Sequence, residues 1–78
     1  MSMKEFKTGR YENMGPGVSN PEFWEAERIY KTVTLTFGKV GTRGTRASRE
    51  FTSSEEAQRF VLERLQDKMS EGFVKVEN

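Results

Sequence analysis

The stretch Thr36-Phe37-Gly38-Lys39-Val40-Gly41-Thr42-Arg43-Gly44-Thr45-Arg46 constrains the fold more than any other part of the chain. Lys31-Thr32-Val33-Thr34-Leu35-Thr36-Phe37 runs into it, with Val33, Leu35 and Phe37 pointing one way and the threonines the other. Alternation of β-branched and polar residues is the pattern of a strand with one face on a core. Glycines then recur at every third position, 38, 41 and 44. Glycine accepts positive φ and close backbone approach without steric cost, so this spacing predicts a bent, tight connection. Thr45–Phe51 returns as a further strand.

The flanking segments supply the rest of a small sheet. Phe23-Trp24-Glu25-Ala26-Glu27-Arg28 alternates, with Trp24 and Ala26 on one face and Phe23, Glu25 and Glu27 on a wet one. It lies too close to the Lys31–Phe37 strand for a crossover, so the two predict an antiparallel hairpin turning near Arg28–Lys31. The tip then holds Ile29 and Tyr30, which is poor turn chemistry. Arg10–Met14 alternates weakly and reads as a strand stopped by Gly15-Pro16-Gly17, with Ser19-Asn20-Pro21 continuing the loop. Residues 1–9 form an N-terminal extension with one apolar anchor, Phe6, and fit either a frayed terminus or a short edge strand. The domain proper is expected over residues 10–78.

One helix follows the strands. Ser53 with Glu56 three residues on is a capping box, in which the hydroxyl takes an orphan N–H and the carboxylate reaches back. Ala57, Phe60, Val61, Leu65 and Met69 recur at helical spacing as a core-facing stripe that Leu62 widens, with the Lys68 stem lying alongside. Gly72 ends the helix, Phe73 stands where a residue packs back, and Phe73–Val76 is a last short strand. The expected architecture is α+β: an antiparallel sheet of about four strands with one helix packed across it.

Composition narrows the chemistry. With 78 residues the core is small and stability marginal. There is no cysteine and no histidine, which removes disulfides, thiolate nucleophiles, the usual zinc ligands and the usual general base near neutral pH. Nothing marks any two of the 12 carboxylates as a catalytic pair, so neither enzyme activity nor a cofactor or metal is expected. Net charge is only +1, but it is unevenly spread. Lys39, Arg43, Arg46 and Arg49 occupy residues 39–49 with no anion among them, whereas residues 53–72 carry net −2. No apolar run is long enough to span a bilayer and residues 1–7 lack a signal-peptide core, so a cytoplasmic chain without a membrane partner is the expectation.

Taken in order, Phe23-Trp24-Glu25, Phe37-Gly38-Lys39-Val40-Gly41-Thr42-Arg43-Gly44, Phe51-Thr52-Ser53, Glu56-Ala57, Asp67-Lys68 and Gly72-Phe73 resemble the WGR domain over roughly residues 10–76. That family is named for a Trp-Gly-Arg tripeptide in its central strand. The resemblance implies an antiparallel sheet with one helix, and membership of a group found in poly(ADP-ribose) polymerases, in bacterial regulator-like proteins and as short bacterial chains. In the polymerases the domain contacts DNA ends and packs on neighbouring domains. Here the tripeptide is Phe37-Gly38-Lys39: the ring keeps a stacking face without the indole N–H, and lysine keeps the charge without the planar fork. The hairpin tip also departs, holding Ile29-Tyr30 in place of a polar turn.

The candidate site residues each carry two readings. Phe37 either stacks on a base or sugar while Lys39 meets a phosphate, or continues the Val33–Leu35 face into the core. Arg43, Arg46 and Arg49 either extend a phosphate-binding rim or are ordinary surface charge. Trp24 is a core residue or a surface anchor, and Ile29-Tyr30 an unusual turn or a protein-contact patch. Gly41-Thr42-Arg43-Gly44 has the form of a KH-domain GxxG, but that loop joins two helices and this one follows a strand. The expected function is a small non-catalytic module making weak, largely sequence-independent contacts to DNA or RNA. The alternative is a protein-interaction module, including a homodimer, built on the 28–31 tip and a sheet edge.

Overall fold

The computed structural model describes residues 5–15, 17 and 19–76. Residues 1–4 of the expected extension, Pro16 of the expected strand stop, Val18 and the last two residues lie outside the described ones. The elements are β1 (Glu5–Lys7), β2 (Tyr11–Asn13), β3 (Glu22–Ile29), β4 (Thr32–Lys39), β5 (Thr45–Glu50), α1 (Ser54–Ser70) and β6 (Val74–Lys75). The sheet runs β5-β4-β3-β2-β6 with every pairing antiparallel. β1 shares the β2 edge of β3, pairing the Glu27–Ile29 half while β2 pairs the Glu22–Trp24 half. Thr8 bridges the gap: its N–H donates to the Ala26 carbonyl at 3.1 Å, and its hydroxyl accepts from the Ala26 N–H at 3.0 Å. The fold is the α+β arrangement expected, with six strands where about four were predicted: β6 is the last short strand anticipated over Phe73–Val76, and β1 is the edge strand that residues 1–9 allowed as one of two outcomes.

Register fixes the two faces. Trp24, Ala26 and Arg28 of β3 stand opposite Phe37, Leu35 and Val33 of β4, so all six share the face under α1. The core there comprises Trp24, Ala26, Val33, Ala57, Val61 and Phe73, with Phe6, Tyr11, Leu35, Phe51, Phe60 and Leu65 packed around it. Each such aliphatic or aromatic side chain stabilises the fold by roughly 1.5–3 kcal/mol on burial. Trp24 is therefore a core residue; the Tyr11 ring meets it edge-on with centroids 6.4 Å apart.

Three expectations are corrected. Phe23, assigned to the wet face, is 2% exposed. The Arg10 guanidinium lies 4.1 Å over its ring, and Gly44 passes beneath with no side chain to displace it. Met69 and Leu62, placed in the apolar stripe, are about half exposed, because only Ala57 and Val61 lie directly over the sheet. The capping box is also shifted. Ser53 Oγ accepts from the Glu56 N–H at 3.1 Å as expected, but the Glu56 carboxylate reaches one residue further back, to the Thr52 hydroxyl at 2.8 Å and N–H at 3.2 Å. At the other end the Gly72 N–H donates to Met69 and the Phe73 N–H to Lys68, a Schellman motif that returns the Phe73 ring to the core.

Candidate nucleic-acid interface

Phe37, Gly38 and Lys39 end the strand β4, where its neighbours set their orientation. Phe37 stands between Trp24 of β3 and Thr45 of β5, and Lys39 opposite Glu22. Phe37 and Lys39 thus share the α1 side of the sheet. The helix does not reach them. It starts beside the β3–β4 turn, where the Phe51 N–H donates to the Lys31 carbonyl at 2.8 Å. It ends beside β2, where Asn13 Nδ2 donates to the Glu71 carbonyl at 3.3 Å. This diagonal leaves the β4–β5 corner uncovered, so burial falls along one strand face from Val33 (1% exposed) to Phe37 (39%). Phe37 lies on the core-facing side and still presents an accessible ring.

The loop after it is closed by its own hydrogen bonds. The Lys39 carbonyl accepts from the Thr42 N–H at 3.1 Å and the Thr42 hydroxyl at 2.7 Å. Gly41, third in that four-residue turn, has φ 95°, the left-handed value a type II turn demands there. The Val40 N–H ties the loop to the Pro21 carbonyl at 2.9 Å. Gly38 and Gly44 are needed for closeness: a methyl on Gly38 would sit 2.7 Å from the Gly44 Cα, and one on Gly44 would strike the Phe37 carbonyl and the Phe23 ring. The backbone is thereby held rigid where Lys39 and Arg43 emerge.

The other two cations stand apart. Arg46 pairs in register with Thr36 on the sheet face opposite α1, beside Glu25 and Glu27. Arg49 returns to the α1 side, but beside Val33, four residues along the strand from the Phe37 position. That is a separation of about 13 Å. Its guanidinium lies 4.8 Å from the Phe51 ring centroid and 5.6 Å from that of Phe60. The corner therefore holds Phe37 and Lys39, with Arg43 on the loop that follows β4, and the five residues fall in three places instead of one rim. Among the described residues, none of the four cations lies within 4.0 Å of a carboxylate. Ile29 and Tyr30, at the opposite end of the hairpin, are both about half exposed.

A family model, the WGR domain, matches residues 11–78. The chain belongs to the WGR domain family. WGR domains are generally nucleic-acid-binding modules, and usually binding modules and not catalysts. Among solved structures, this WGR domain is similar to a protein from Bacteroides fragilis at 25% identity and TM-score 0.78, over 92% of this chain and 20% of that one. The chain thus spans about a fifth of the length of that relative. No curated protein matches it significantly. Among the described residues, no helix is long and apolar enough to cross a membrane.

One residue of chemical interest escaped the sequence reading. Arg28 continues the Trp24–Ala26 face and is 3% exposed, although it is charged. The alternation that placed Trp24 and Ala26 inward extends two residues further and was the available signal.

Proposed function

We propose that this WGR domain binds nucleic acid at the β4–β5 corner, with the Phe37 ring stacking on an accessible base or sugar and Lys39 and Arg43 meeting flanking phosphates. The observation that carries this reading is a partly uncovered aromatic side chain near Lys39 at the end of β4 and Arg43 on the glycine-closed loop after it, neither ion-paired among the described residues. Ring stacking and phosphate contact need no base-edge pattern, so binding is sequence-tolerant. Arg46 and Arg49 stand away from the corner and would join only on a strand that wraps β5.

Salt dependence separates these cases. Two phosphate contacts weaken duplex binding roughly tenfold, and four roughly a hundredfold, between about 50 and 200 mM salt. Fluorescence anisotropy with single-stranded, blunt and nicked DNA and one RNA should give the roughly tenfold change, and the preferred probe names the ligand. Absence of binding at low salt would sink the reading.

A second reading has one observation in its favour. Tyr30 takes φ 55° in a two-residue turn, an uncommon conformation for a bulky residue, and its side chain is 57% exposed. Strain kept at an exposed aromatic fits a protein contact, including a homodimer. Light scattering should then show an oligomer that Tyr30→Asp dissociates; a monomer at all concentrations removes the homodimer.

A further inference from the structure

β5 forms one margin of the sheet, and nothing among the described residues pairs with its outer side. Its six residues, Thr45–Glu50, are all exposed. They pair with β4 position by position without a bulge, and include neither proline nor glycine. Such a strand presents a row of free N–H and C=O groups about 20 Å long. Bulges, prolines and short length are common ways of closing an edge of this kind. The other margins use the last of these, since β1 has three residues and β6 two. β5 uses none of them. Nor does Arg49 obstruct the edge, because its guanidinium lies back over the Phe51 and Phe60 rings, 4.8 and 5.6 Å from their centroids.

The side chains of β5 select what can join it. Residues directly opposite in an antiparallel pair share a face. A two-fold axis through one residue of the edge therefore sets residues equally far before and after it against each other. An axis through Arg46 or Arg49 puts that arginine against itself. An axis through Ala47 sets Arg46 against Ser48 and leaves the charges unanswered. An axis through Ser48 sets Arg46 against Glu50, and does so twice. Arg46 and Glu50 both face away from α1, in register with Thr36 and Thr32. Arg46 stands beside Glu25 and Glu27, yet among the described residues neither Arg46 nor Glu50 is ion-paired. The same axis extends a row of hydroxyls. Thr34 Oγ1 and Ser48 Oγ lie 3.0 Å apart, and the second copy's Ser48 and Thr34 continue that row across the axis. On the α1 side, the small Ala47 side chain meets the second copy's Arg49.

We propose that the free edge of β5 pairs antiparallel with β5 of a second copy about a two-fold axis at Ser48, giving one continuous sheet with both helices on the same side. The symmetry is closed, so the product is a dimer and not a fibre. A contact of about 20 Å is small, so the dimer is weak, with a dissociation constant of about 0.1–1 mM. This dimer rests on the protein-contact reading above and names its partner, but its contact is β5 and not Tyr30.

The test is sedimentation velocity between about 10 μM and 1 mM, with ¹⁵N amide shifts followed over the same range. A monomer at low concentration should give way to a dimer, with the largest shifts at Thr45–Glu50. Arg46→Glu and Glu50→Arg each set like charges opposite one another twice, and each should weaken the dimer about tenfold or more. Tm should stay within a few degrees of the parent, since both side chains are exposed. Reversing both charges together should restore the dimer, which the loss of an unrelated contact would not do. Tyr30→Asp should leave it unchanged. A dimer that Tyr30→Asp dissociates and the charge reversals do not would support the turn contact and overturn pairing through β5. A monomer at about 1 mM would overturn it too, as would a double reversal that stays dissociated.

Discussion

Tyr30 shows how a single residue can stand against its local chemistry. Its φ of 55° costs about 1–2 kcal/mol for a residue with a Cβ. The turn is held by its surroundings, with Tyr30 and Lys31 carbonyls accepting from Arg28 and Phe51. Tyr30→Asn, which tolerates this conformation, should stabilise the domain by about 1 kcal/mol and raise Tm by roughly 4–8 °C in a circular-dichroism melt. Glu56 illustrates a second local effect. The Thr52 hydroxyl and N–H donate to its carboxylate and hold it below its ordinary pKa of 4.5, with Arg49 and Arg59 adding smaller attractions. A carboxyl whose folded pKa is lowered contributes stability above its unfolded value and loses it as pH falls through the folded one. Thr52→Val should move the Glu56 titration, followed by carbon NMR, back toward 4.5. It should also lower Tm near neutral pH, with the difference vanishing once both forms are protonated.

At the scale of elements, the glycine spacing was legible and its physical division of labour was not. Gly41 needs only its φ of 95°, for nothing lies within 4 Å of a Cβ there. Gly44 needs both its φ of 75° and the empty space beneath Phe23. Gly41→Ala should therefore cost about 1–2 kcal/mol, and Gly44→Ala about 2–5 kcal/mol once overpacking is added. Urea denaturation of the two variants separates them, and equal costs would contradict the close packing. The long strands β3 and β4, the helix and its Gly72 cap could be read from periodicity because each repeats its pattern over several residues. β1 and β6, of three and two residues, repeat nothing: β6 could be placed only as the segment after the Gly72 cap, and whether residues 1–9 held a strand was decided by the pairing of β1 with β3. The burial of Phe23 was equally unreadable, since Arg10 and Gly44 reach it from distant parts of the chain.

The whole molecule, with extents of 39 × 22 × 22 Å, offers little enclosed volume and a large surface. Its single helix covers the sheet on a diagonal, and what it leaves bare is the candidate interface. The double variant Lys39→Glu/Arg43→Glu should abolish nucleic-acid binding with Tm within a few degrees of the parent, since neither side chain is buried or, among the described residues, ion-paired. Arg46→Glu alone should have a small effect, because its side chain points from the opposite face. An Arg46 effect as large as the double variant's would place the nucleic acid around β5.

The sequence alone determined the α+β class, the antiparallel hairpin turning near Arg28–Lys31 with Trp24 and Ala26 on one face of its first strand, the capped helix and the cationic stretch with Phe37 at its head. Those features are periodic or local, and the chain carries them whether or not it is folded. Only the tertiary structure decided which charges act together. Strand alternation turned Arg46 to the far face, aromatic stacking held Arg49 beside Phe51, and the helix diagonal uncovered Phe37 while burying Arg28 beside a groove. Each outcome depends on where an element ends relative to another, a relation between distant residues that no local pattern encodes.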